Sequence, residues 1–175
     1  MQQQLSDNDI LERLEQSPTL RGFFVSAVDI LTQGIDQLIQ RVFLKDDFAV
    51  QSVVGPLLGE QGPLADVQVR LKLLLGLGVL SNQTFQDIDA ILKLSQQLNR
   101  EVDEYHFTSF ALLQRLEKIP SMAMVAQQAQ HQLNLPNMDD NLKAMQKERQ
   151  TQVLISALSL TLVQLYQQLN IESPL

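Results

Sequence analysis

The chain has 175 residues, with 13 Lys and Arg against 20 Asp and Glu, a formal charge of -7 and no cysteine. That length builds one hydrophobic core, and nothing in the composition points to a second domain. The missing thiols exclude a disulfide framework, a thiolate metal site and a cysteine nucleophile, and the charge opposes any general affinity for phosphate backbones.

Ser6 with Asp9 three residues later forms a capping-box pattern that opens a short helix through about Gln16, and Ser17-Pro18 ends it. The opening MQQQLSDNDILERLEQ carries acids and no apolar run, so it does not read as a secretory signal. Leu20, Phe23, Phe24, Ala27, Val28, Leu31, Ile35, Leu38, Ile39, Val42 and Phe43 then recur at helical spacing, with Ser26, Gln33, Asp36, Gln37 and Gln40 opposite. This is a long amphipathic helix. Asp46-Asp47 supplies a cap for a third helix, FAVQSVVGPLL, which the run from Gly59 to Pro63 terminates.

The stretch GPLADVQVRLKLLLGLGVL, Gly62 to Leu80, sets Arg70 and Lys72 among apolar residues. Gly62-Pro63 starts a helix here, because proline's fixed φ and missing N–H suit a first turn. No continuous polar stripe remains, so the spacing predicts a helix surrounded by others, with Gly76 and Gly78 inside it to admit a close neighbour. Asp66 stands one turn before Arg70 in the favourable order for an ion pair.

Ser81 and Asn82 cap a fifth helix through about Asn99, with Phe85, Ile88, Ile91, Leu92, Leu94 and Leu98 as its apolar side. REVDEYHFTS is a polar loop, a shorter helix runs from about Ser109 to Lys118, and Pro120 begins another through about Gln132. LNLPNM is a turn, after which Asp139-Asp140 caps a final helix to Ile171. That helix contains the longest apolar tract, Val153 to Tyr166, which falls short of the roughly 20 residues a membrane span needs. Strand signals are nearly absent. The fold expected is therefore an all-α, single-domain, multi-helix bundle: a short N-terminal helix and turn (1–18), a helical core (19–133) and a long C-terminal helix (139–171), with the buried Gly62 to Leu80 helix and the C-terminal helix at its centre.

Several segments resemble the bacterial mannitol operon repressor family: KDDFAV, GPLADVQVRLKL and GLGVL, set between FFVSAVDILTQGIDQLIQRVF and LNREVDEYHF. The likeness runs from about Leu20 to Phe107, and family members often carry Tyr where this chain has Leu75. It implies a small helical regulator of sugar-alcohol uptake genes. The order of elements also resembles distant helical domains of the HEPN type. Their ribonuclease forms carry an Arg, a polar residue and, several residues later, a His. Here Leu98 and Asp103 stand at the Arg and His places and only Asn99 matches, so phosphodiester chemistry lacks both its base and its cation.

No other constellation points to catalysis. His106 and His131 lie in unrelated segments without zinc-type spacing, and no nucleophile elbow or phosphate loop occurs. Neither metal nor cofactor is expected, and the chain does not read as an enzyme. The cluster Lys143, Lys147 and Arg149, diluted by Glu148, reads as a solvated helix face. Asp87, Asp89, Glu101, Asp103 and Glu104 could gather near one end of the fifth helix, where an acidic patch suits a basic partner protein better than DNA.

Asp66, Arg70, Lys72 and Asn99 are the candidate polar or interaction site. Arg70 could offer a planar donor fork to a carboxylate or phosphate in a bundle crevice, with Asp66 orienting it. The simpler reading is an internal brace, with an Asp66 to Arg70 ion pair, further bonds from Arg70 to helix-end carbonyls, and Lys72 reaching to solvent. A recognition helix needs exposed Arg, Lys, Asn or Gln facing base edges, and the candidates here are apolar or acidic. The functional expectation is a cytoplasmic repressor of mannitol-utilisation genes acting through a protein partner, either a transcription factor or a sugar-transport phosphocarrier, and forming a homodimer. The alternative is a ligand-sensing or enzymatic bundle using a crevice near Arg70.

Overall fold

The computed structural model describes residues 4–43, 48–136 and 138–171, and among these the regular structure is entirely helical. Eight helices follow in order: α1 (Asp7–Glu15), α2 (Leu20–Phe43), α3 (Phe48–Leu58), α4 (Val67–Gly76), α5 (Asn82–Arg100), α6 (Phe110–Glu117), α7 (Ala123–Leu133) and α8 (Asp140–Ile171). Their starts are chemically specified. Ser6 Oγ accepts the Asp9 N–H at 3.2 Å while the Asp9 carboxylate accepts the Ser6 N–H at 2.9 Å, completing the capping box. Ser81 Oγ takes the Thr84 N–H at 3.2 Å, and Asp139 takes the Leu142 N–H at 2.8 Å. The expected Asp46-Asp47 cap lies outside the described residues.

The centre of the bundle is α2, which buries Phe23, Phe24, Ala27, Ile30, Leu31, Ile35 and Leu38 almost completely. It packs against α8 on one side and against α4 and α5 on another, while α1 covers the α2–α8 seam with Ile10 and Leu14. The α6–α7 hairpin rests on α8. Gly34 brings α2 and α8 together: a Cβ there would stand 2.8 Å from Leu169 Cδ1 and 3.1 Å from the Tyr166 ring. The hydroxyl of Tyr166 donates to Gln37 at 3.1 Å and accepts the Leu5 N–H at 3.0 Å, so Gln37, expected on the polar side of α2, is buried with a partner.

The Gly62 to Leu80 segment departs from its expected form. Its helix begins at Val67, because Asp66 caps it by accepting the Gln68 N–H at 2.7 Å, and it ends at Gly76. Gly62-Pro63 belongs instead to a tight loop, in which a Cβ on Gly62 would lie 2.3 Å from the Leu57 carbonyl oxygen. Only Leu71 and Leu74 of α4 are buried, and Val69 remains 40% exposed, so α4 lies at the edge of the bundle rather than at its centre. Nor do the glycines admit a neighbour. Gly78 takes φ of 70° and closes a Schellman motif, with its N–H on Leu75 O at 3.0 Å and that of Val79 on Leu74 O at 3.1 Å. Nothing outside the helix lies within 4 Å of a Cβ built on Gly76. The apolar run misled because a helix stop inside it puts Val79 and Leu80, both buried, beyond the helix.

Candidate functional site

Arg70 is the centre of a bracket joining three parts of the fold. It points inward from α4, its Nε donating to Leu64 O at 2.5 Å and Nη2 to Leu58 O at 3.2 Å. Its Nη1 pairs with the Asp36 carboxylate on α2. One planar cation thus ties the end of α3, the following loop and α4 to the central helix. The brace has the expected chemistry and an unexpected anion: Asp36, placed by the sequence on the polar side of α2, takes the part assigned to Asp66. No local spacing reveals a partner 34 positions away.

The other candidates do not join that bracket. Lys72, one position beyond Leu71, is exposed on the outer side of α4. Asn99 is exposed in the last turn of α5, and among the described residues no hydrogen bond links it to Arg70. With each nitrogen of Arg70 engaged inside the protein, a nearby crevice loses the cation that would hold an anionic ligand.

A second polar cluster fixes the α5–α6 loop, where the degenerate nuclease-like run falls. Arg115 bridges Glu101 at 2.8 Å and sits 5.2 Å from the centre of the Tyr105 ring. Hydrogen bonding from Arg115 first, and from Tyr105 second, lowers the Glu101 carboxyl below its usual value. Their own hydrogen bonds to Glu101 raise the Arg115 guanidinium and the Tyr105 hydroxyl in turn. Arg21 reaches across from α2 to Glu101 O at 2.8 Å, and Phe107 inserts edge-on against Phe23, ring centres 5.5 Å apart. The loop is pinned to the core rather than simply polar. Of the five acids expected near one end of α5, Glu101, Asp103 and Glu104 lie around Tyr105, whereas Asp87 is buried beside Ser121 and Asp89 pairs with Lys93 at 2.5 Å.

Two apolar surfaces are left open. Phe48 is 83% and Val53 65% exposed on α3, whose sequence from Phe48 to Leu58 contains no charge. On α8 the exposed Leu142, Met145, Val153 and Leu160 share a stripe opposite the buried Leu154, Leu158 and Leu162. Lys143, Lys147 and Arg149 are solvent-exposed there, as expected. Among the described residues no group of His, Asp and Glu could hold a metal ion, and no helix is long and apolar enough to cross a membrane.

The family model described as mannitol repressor matches residues 6–170. The chain belongs to the mannitol repressor family. The match is longer at both ends than the Leu20 to Phe107 likeness read from motifs, and takes in α1 and almost all of α8. The mannitol operon repressor of Escherichia coli K12 is 36% identical over 171 residues, covering 98% of this chain and 86% of that protein. In structure, this mannitol repressor family member is similar to a chain of the MtlR–HPr complex from Escherichia coli, with a TM-score of 0.83 and 36% identity over 94% of this chain and 98% of that one. A partial likeness, 35% identity over 98 residues, extends to fumarase E of Escherichia coli K12, covering 55% of this chain and 58% of that protein.

Proposed function

We propose that this chain represses mannitol-utilisation genes in the cytoplasm, without catalysis of its own, by docking a protein partner rather than by reading DNA through a recognition helix. The observation that carries this reading is the near full-length likeness to the mannitol operon repressor of Escherichia coli and to a chain solved in complex with HPr. A phosphocarrier of the HPr kind is accordingly the partner of choice, ahead of a transcription factor. The geometry supports the reading from the other side. Exposed apolar side chains on α3 and α8 suit protein contacts, while a charge of -7 disfavours the duplex backbone.

The uncharged face of α3 is the better place for a homodimer, since two copies of an acidic molecule meet there without like charges opposed. In this scheme Asp66 and Arg70 keep α3 and α4 in position. Lys72 and Asn99 are free to contribute at the rim of a contact.

A reporter driven by the mannitol operon control region, together with a gel shift of the purified protein at moderate salt, tests the proposal. Loss of the gene should raise expression, the isolated protein should give no specific shift, and purified HPr should bind it in calorimetry. Specific retention of the operator by the isolated protein would overturn the partner-mediated mechanism, and unchanged reporter expression would overturn the regulatory role.

A further inference from the structure

A groove of about 450 Å³ opens between the first half of α5, the α6–α7 turn and the last turns of α8. Its walls carry Gln83, Asp87, Ser121, Thr161, Gln164 and Gln168, and among the described residues its lining includes no Lys, Arg, His or aromatic residue. Asp87 is only 3% exposed, has no cation paired with it among the described residues, and accepts the Ser121 N–H at 2.9 Å. A carboxylate accepts several hydrogen bonds, so Asp87 retains capacity on the groove side. Ser121 Oγ is buried and makes no hydrogen bond within the described chain. A buried hydroxyl without a partner is uncommon in a protein interior, and one beside a buried carboxylate suits a ligand that donates and accepts through the same group.

We propose that this groove binds a small, neutral, polyhydroxylated molecule, an acyclic sugar alcohol. Each alcohol group both donates and accepts, which matches a lining of amides and hydroxyls around one carboxylate. With no cation beside Asp87 among the described residues, phosphorylated and carboxylated sugars are turned away, since their charge would be desolvated against a like charge. The described lining also has no aromatic face, the platform on which the apolar side of a ring sugar rests. The choice of mannitol as the first probe rests on the reading of the chain as a mannitol-operon repressor. The groove chemistry does not.

Calorimetric titration of the full chain with D-mannitol, D-glucitol, D-mannitol 1-phosphate and glycerol tests the site. Polyols at high concentration stabilise proteins through exclusion from the surface, so binding must saturate at a fixed stoichiometry. A hexitol should bind at least tenfold tighter than glycerol and than mannitol 1-phosphate, and Thr161→Val and Gln164→Leu should each weaken it at least fivefold. Both variants leave the Asp87 to Ser121 bond intact, so their folding does not depend on the group under test; Asp87→Asn is the third variant, used where its melting curve matches the parent. No saturable hexitol binding, tighter binding of the phosphate, or affinity unmoved by the Thr161 and Gln164 variants would each overturn the proposal. A chain that binds no polyol yet still represses leaves the partner-mediated function standing, and one that binds mannitol without regulating removes that function and keeps the site.

Discussion

At the scale of single residues, the ion pairs of this protein act as positioning devices. Arg70 and Asp36 have side chains only 14% and 28% exposed, so removing the cation strands a half-buried carboxylate and two carbonyl oxygens. Arg70→Met should therefore lower the unfolding free energy by about 2–3 kcal/mol in urea titration. Adding Asp36→Leu to that variant should recover part of the loss, because the stranded charge is then gone; simple additivity of the two would mean the residues are uncoupled. Glu101 gives a pH signature. Its carboxyl is lower in the folded protein than its ordinary value of 4.5, chiefly through Arg115, so its stabilising contribution is present above that value and is lost as pH falls through the lower folded one. Unfolding curves recorded from neutral pH down through the acid range should lose part of their acid slope in Glu101→Gln. An identical slope would show that the bridge does not favour the folded state.

At the scale of elements, the two glycines near the end of α4 make opposite demands. Gly78 holds a positive φ that a Cβ resists, so Gly78→Ala should cost about 1–2 kcal/mol. Gly76 occupies the last turn with open space around it, and Gly76→Ala should add about 0.5–1 kcal/mol through helix propensity. Thermal melts of the two variants should therefore move in opposite directions; shifts of the same sign would contradict the Schellman assignment. The glycine that does serve close helix packing is Gly34, and the residues crowding it, Tyr166 and Leu169, come from the far end of the chain. Periodicity placed the helices, and the capping residues Ser6, Ser81 and Asp139 placed the starts of α1, α5 and α8. The α4 boundaries were obscured because an apolar run continues through a helix stop when the residues beyond it are also buried.

At the scale of the whole molecule, Tyr166 ties the two ends of the chain to its central helix. Its hydroxyl is shared between the Leu5 N–H, 161 positions away, and Gln37 on α2. Tyr166→Phe should destabilise by about 1–2 kcal/mol in denaturant melts, since it leaves the buried Gln37 amide without that partner. Hydrogen exchange should rise first at α1, whose Ile10 and Leu14 are held in the same seam; protection of α1 at the parental level would show that the tyrosine does not anchor it.

Composition, periodicity and local capping are short-range properties, and they were enough to determine an all-helical chain and nearly every helix in it, while the family likeness rested on the motifs KDDFAV, GPLADVQVRLKL and GLGVL. The short-range properties also favoured a brace over a ligand-binding role for Arg70, because a cation in an apolar segment must find acceptors. Tertiary structure decided which acceptors. Asp36, the carbonyls of Leu58 and Leu64, the burial of Gln37 and the polar groove around Asp87 all depend on residues far apart in sequence. It also moved the centre of the bundle from α4 to α2. A helix's hydrophobicity says that it can be buried, and only packing against the other helices determines how much of it is.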